Sequence, residues 1–240
     1  MKRVLTLSMM VVLVCAAMVW ASGPAPSTTP ELALERLQRG NERFVTSKTI
    51  HPNQDPLRRS ITAKEGQKPF ATILGCADSR VPLEVVFDTG VGDLFVVRVA
   101  GNVTYFDQAG TIEYGADHLG SNLLVVLGHT KCGAVNAVIA GGDAHGNIPA
   151  LVANIVPPVT KVKAENPGLT GEALANKAIE ANTWQSIEDL FKQSPMIRDM
   201  VKSKAVKVVG AIYDIESGKV NWMGEHPKQA ELVELTGGVK

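Results

Sequence analysis

The sequence predicts an α/β protein: a mainly parallel central β-sheet flanked by helices. Three observations predict it. Short, largely apolar, β-branched runs recur at residues 70–74, 94–99, 123–127 and 206–213, and runs without polar alternation suit strands buried on both faces of a parallel sheet. Helical patterns fill the spaces between them, near residues 109–119, 133–140, 147–165, 171–193 and 195–203, which gives the βαβ alternation of an α/β domain. Finally, 240 residues at 45% hydrophobic and 20% charged can build a full core. No glycine fingerprint of a nucleotide-binding loop follows any of the strands.

The chain opens with Lys2 and Arg3, an apolar stretch over 4–20, and small residues leading into SGPAPSTTP. That is the plan of a secretory signal peptide. The expectation is a leader over 1–21 cleaved after Ala21, a flexible tether over 22–29, and a single domain over 30–240. The competing reading is an uncleaved anchor, since the apolar stretch approaches a short span; a lipoprotein signal is disfavoured by Val14 before Cys15. The mature chain is expected to be periplasmic or secreted, with no stable membrane association after cleavage. A formal net charge of zero gives no reason to expect a nucleic-acid partner.

A helix is expected from residue 30. Thr29 can cap it, Pro30 suits its first position and Glu31 its first turn, while Leu34, Leu37 and Phe44 fall on one side. That stripe could pack on the chain's own core or on a neighbouring subunit. Further along, Gly141-Gly142 is read as a helix end, Pro157-Pro158 as an interruption and Gly237-Gly238 as a frayed tail.

Chemistry concentrates at two strand ends. The stretch GCADSR (75–80) puts Cys76, Asp78 and Arg80 at alternate positions, which share a side in an extended segment. Cys76 follows the first strand. His129 follows the third, and Cys132, in HTKC, opens the helix over 133–140, where the dipole favours a thiolate. Sites in open α/β sheets form beyond the carboxyl ends of strands. Cys, His and Cys suit zinc, and three protein ligands with a fourth position open to water or Asp78 is the catalytic arrangement. Loss of Cys15 with the leader leaves two thiols, so an export disulfide between Cys76 and Cys132 is the plainer alternative. Asp78 and His129 beside the thiols weigh against it, because a staple has no use for them.

With CADSR, VFDTGVGDLFVVRVAGN (86–102) and GHTKCGAV (128–135), the chain resembles the β-class carbonic anhydrases from roughly residue 30 to residue 223. The resemblance implies one Zn2+ per subunit on Cys76, His129 and Cys132, and a catalytic dyad of Asp78 and Arg80, with Asp78 entering the metal shell only in a closed state. It implies a homodimer, in some members a tetramer, with an N-terminal helical arm laid across the partner. By position it matches Gln67, Phe95 and Tyr114 to residues of the substrate pocket; their plainer readings are a loop amide and two core aromatics.

The implied reaction is reversible hydration of CO2 to bicarbonate and a proton, by attack of zinc-bound hydroxide. Zinc lowers the pKa of water from about 15.7 towards 7, and Asp78, gripped by Arg80, can orient the hydroxide. The Asp88-Thr89-Gly90 turn resembles members found in the open form, and the Trp/Arg/Tyr set of bicarbonate-regulated members finds no place here. The alternatives are a relative that hydrolyses carbon disulfide or carbonyl sulfide, and a non-catalytic zinc or bicarbonate-binding module, which the intact dyad disfavours. His51, His118, His145 and His226 read as surface or helix-face histidines, Glu188-Asp189 as a solvated helix face, and Arg98 as half of a buried ion pair.

Overall fold

Strands β1 (Ala71–Gly75), β2 (Leu94–Arg98), β3 (Leu123–His129), β4 (Lys207–Tyr213) and β5 (Val220–Gly224) form one sheet in the order β2-β1-β3-β4-β5. The first four run parallel and β5 pairs antiparallel with β4. The structure, a computed structural model, describes residues 27–141 and 145–237. The leader, most of the tether, Gly142 and Gly238 lie outside the described residues. Among the described residues no helix is long and apolar enough to cross a membrane.

The apolar runs form strands because both faces of the sheet are covered; every residue of β1 and β3 is buried. Successive side chains point to opposite faces. Ile73, Leu123, Val125, Leu127, Val209 and Ala211 meet Ala33, Leu37, Leu83 and Phe87 on one side. Leu74, Leu124, Val126 and Val208 meet Ile112, Ile187, Leu190, Phe191 and Ile197 on the other.

Helix α1 (Pro30–Val45) starts as expected, with Thr29 Oγ1 accepting from the Leu32 amide at 3.3 Å. It buries Ala33 and Leu37 against the chain's own sheet, with Leu34 and Phe44 partly covered beside them, so the stripe serves the chain's own core. One element carries no apolar signature. Helix α2 (Pro56–Glu65) buries no residue; its ends come from Asp55, whose side chain accepts from the Arg58 amide, and from Gly66 at φ +80°. The short α3 (Leu83–Val86) follows β1.

Helix α4 (Phe106–Glu113) runs into a π-turn over Tyr114–His118. Helix α5 (Gly133–Ala140) ends, as expected, on left-handed Gly141. The stretch 147–165 divides into α6 (Ile148–Val152), a 3-10 turn and α7 (Val156–Glu165). Pro157 and Pro158 lie in the first turn of α7, where a missing N–H costs nothing, so they begin a helix instead of breaking one. Helices α8 (Gly171–Gln193), α9 (Pro195–Lys202) and α10 (Gln229–Leu232) complete the chain.

Two surface readings are corrected. His226 is buried, edge-on to Trp184 with ring centroids 5.2 Å apart. Asp189 is mostly covered, and burial pushes its carboxyl up against the opposing effect of Gln185 and Lys192.

Candidate metal centre

Adjacent parallel strands bring the site together. β1 and β3 pair with Gly75 opposite Leu127, so Cys76, one residue past β1, and His129, the last of β3, leave the same end of the sheet. Lys131, left-handed at φ +57°, turns the chain between His129 and Cys132, and Cys132 caps α5. One ligand atom each from Cys76, His129 and Cys132 lies within 4.8 Å of the others, and all three residues are buried. Neither cysteine is in a disulfide. Apolar side chains of Val103, Val135, Ile155, Val159 and Ile179 back the two thiols.

The protonation pattern of the cluster fits a cation. His129 Nδ1 lies 2.9 Å from the Thr130 carbonyl; a carbonyl only accepts, so Nδ1 carries the proton and Nε2 presents a lone pair. That Nε2 is buried and has no hydrogen-bond partner. An orphaned buried acceptor is costly unless something electropositive meets it. A hydrogen bond from Cys132, with another from the Gly101 amide, lowers the Cys76 thiol against the effect of burial. That same bond, together with burial, raises Cys132, while the Ala134 and Val135 amides at the start of α5 pull the other way. Without a cation the two sulfurs therefore share one proton. Two thiolates and a free imidazole nitrogen fit the donor set of zinc.

Asp78 stands beside this set and outside it. Its Oδ1 accepts from the Arg80 amide and Nε, both at 2.9 Å, and its Oδ2 accepts from Nη2 at 2.7 Å. The hydrogen bonds from Arg80 hold its carboxyl well below the usual carboxylate range, against the effect of desolvation. Oδ2 stops 3.9 Å from His129 Nε2. Arg80 Nη2 also donates to the Lys131 carbonyl at 3.2 Å, tying together the loops that carry Cys76 and Cys132.

The three pocket candidates lie elsewhere in the chain. Phe95 pairs with Thr72 in the sheet, four residues before Cys76, or roughly 13 Å along a strand at about 3.3 Å per residue. Tyr114 stacks on Phe95 with centroids 5.9 Å apart, and Gln67 is exposed in the loop before β1. All three sit towards the amino end of the strands, away from their own chain's Cys76. Arg98, read as half of an ion pair, has no acidic partner among the described residues. It donates to the carbonyls of Cys76, at 2.9 Å, and Asp78, at 2.6 Å. The Gly101 amide, 3.3 Å from Cys76 Sγ, is a further contact to the site that side-chain chemistry could not signal.

The chain is similar to known proteins in sequence and in fold. The family model described as "Carbonic anhydrase" matches residues 71–220. Carbonic anhydrase 2 of Mycobacterium tuberculosis is 37% identical over 81% of this chain and 93% of its own length. Among solved structures, a β-carbonic anhydrase of Aspergillus fumigatus superimposes with a TM-score of 0.68 over 88% of this chain and 99% of its own, at 23% identity. One of two tetrameric β-carbonic anhydrases of Sordaria macrospora does so at 0.63, over 81% and 96%, at 24% identity.

Proposed function

The chain belongs to the β-class carbonic anhydrases, and from that premise we propose that Cys76, His129 and Cys132 hold one zinc ion, where CO2 and water are interconverted with bicarbonate and a proton. The observation that carries the proposal is the partnerless Nε2 of His129, buried against two thiols and faced by a carboxylate that Arg80 holds back. Zinc, when bound, supplies the Lewis acid that makes water acidic near neutral pH.

The chain's residues do the rest. Asp78 Oδ1 already receives two hydrogen bonds, whereas Oδ2 receives one and faces His129. Oδ2 therefore has capacity to accept a hydrogen bond from the attacking water, turning that oxygen's reacting lone pair towards the carbon of CO2. Charge supports the same assignment. A dication with two thiolates is neutral, Asp78 adds a negative charge, and Arg80 offsets it, so bicarbonate meets no net repulsion. The apolar side chains behind the thiols suit an uncharged substrate and strengthen electrostatic contacts by excluding water.

Gln67, Phe95 and Tyr114 are assigned to the substrate pocket of a facing subunit. β2 is an edge strand with no partner on its outer side among the described residues, and a homodimer formed there would offer these residues to the other copy's site. A homotetramer is the larger alternative, which light scattering distinguishes. From the composition of residues 1–21 we further propose export to the periplasm or medium, with 30–240 acting as one domain; the N-terminus of protein recovered from fractionated cells tests this.

Stopped-flow CO2 hydration by the zinc-loaded protein, run beside Asp78→Ala and beside an assay with carbon disulfide, tests the reaction. Hydration far above the uncatalysed rate and its loss in Asp78→Ala are expected. Turnover of carbon disulfide without CO2 hydration would overturn the substrate, and full activity of Asp78→Ala would overturn the role of Asp78.

A further inference from the structure

Past the ends of β1 and β2 the two chains stay paired: the Val99 amide donates to the Gly75 carbonyl at 3.2 Å and the Ala77 amide to the Val99 carbonyl at 3.1 Å. The arc 75–78, which carries a metal ligand and the dyad carboxylate, is thus held by the stretch 98–101. Backbone pairing leaves the Cys76 carbonyl to a side chain, while the Asp78 carbonyl accepts from the Val81 amide at 3.0 Å and has a second lone pair to offer. Arg98 reaches both, Nε to Cys76 at 2.9 Å and Nη2 to Asp78 at 2.6 Å.

We propose that Arg98 is a positioning residue which, by bridging the Cys76 and Asp78 carbonyls, fixes the offset between metal ligand and carboxylate and keeps Asp78 beside the metal shell. The inference rests on the zinc reading above. Three features carry it. Arg98 is exposed as a residue, so it contributes little to the core. It has no acidic partner among the described residues, so its donors are not committed to an ion pair. And the two carbonyls belong to residues two apart, which one planar fork can span and a single ammonium cannot. Two arginines thereby hold Asp78: Arg80 grips its carboxylate, and Arg98 its main chain beside the Val81 amide. Removing either grip leaves Oδ2 free to close the 3.9 Å to His129 Nε2 and enter the metal's coordination shell.

Wild type, Arg98→Lys and Arg98→Gln, each loaded with cobalt(II) in place of zinc, test the proposal by visible absorption, which reports the number and kind of cobalt ligands, together with thermal midpoint and the kcat and KM of CO2 hydration. Arg98→Lys keeps the charge and most of the stem and loses the fork. It is expected to melt near wild type, show an altered cobalt spectrum, and lose about 10–100-fold in kcat, the usual effect of removing an outer partner of a metal site. Arg98→Gln should behave likewise; should it fail to fold, Arg98→Lys decides. A wild-type spectrum and kcat in Arg98→Lys would overturn the proposal, as would a lowered midpoint with an unchanged spectrum. Failure of the zinc reading shows separately, in a wild-type protein that takes up no cobalt, and overturns both.

Discussion

Arg80 grips Asp78 with two prongs, Nε to Oδ1 at 2.9 Å and Nη2 to Oδ2 at 2.7 Å, and the carboxylate so held stops 3.9 Å short of His129 Nε2. That grip on the side chain keeps the carboxylate from the metal position, beside the hold of Arg98 on the Asp78 carbonyl. Arg80→Ala is therefore expected to retain zinc, as measured by metal analysis, while CO2 hydration falls by about 10–100-fold. Because Asp78 then acts as a competing ligand, Arg80→Ala/Asp78→Ala should hold zinc less tightly than Arg80→Ala in a chelator competition. Equal affinity in the two variants would show that Asp78 never reaches the metal.

Zinc uptake should release about one proton per site near neutral pH, since metal binding takes thiolates and displaces their protons. Cys76, lowered by the bond from Cys132, is already a thiolate in the metal-free chain, and Cys132, raised by that bond and by burial, still holds its proton. As pH falls through the lowered value of Cys76, the release should rise towards two. Calorimetry in buffers of different ionisation enthalpy counts the protons, and a release near two at neutral pH would contradict the shared proton.

The cluster of Cys76, His129 and Cys132 was legible in the sequence because each stands at a place that periodicity marks, the end of an apolar strand or the start of a helix. Other features left no such mark. β5 carries Asn221 and half-covered side chains at a sheet edge, and α2 buries nothing, so neither shows an amphipathic period. Arg98 looked like half of an ion pair because a carbonyl acceptor has no residue type. His226, in the segment after β5, is buried by Trp184, which reaches it from helix α8. Position alone matched Phe95 to a pocket, but the parallel register that sets it beside Thr72, away from its own chain's thiols, emerges only when the strands are paired.

Acid should weaken the fold through Asp88. Its side chain is fully buried, which pushes the carboxyl up, but Arg43 and the Ile50 and His51 amides together outweigh burial and the net shift is downward. A carboxylate with a depressed folded-state pKa stabilises the protein above its unfolded value, about 3.9, and that contribution is lost as pH falls through the lower folded value. Asp88→Asn should lower the thermal midpoint at pH 7 and flatten its fall between about pH 5 and 2. An unchanged acid slope would place the sensitivity in another carboxylate.

Gly40 should be intolerant of the smallest addition, although it lies in a helix. In an exposed helix interior, Gly→Ala stabilises by about 1 kcal/mol. Here a Cβ would stand 1.9 Å from the Phe87 carbonyl oxygen, a backbone atom that cannot swing aside. The close approach is what lets α1 seat Ala33 and Leu37 on the sheet, and the neighbouring Asn41 fastens it, donating to the Val86 and Gly218 carbonyls and accepting from the Val220 amide. Forcing the helix outward costs about 1–3 kcal/mol by overpacking, more than the propensity gain at the upper end of that range. Gly40→Ala is thus expected to lower the midpoint of urea unfolding, whereas Gly110→Ala, in helix α4 with open space around its Cβ position, should raise it. If both substitutions raised the midpoint, the seating of α1 against Phe87 would be looser than the structure places it.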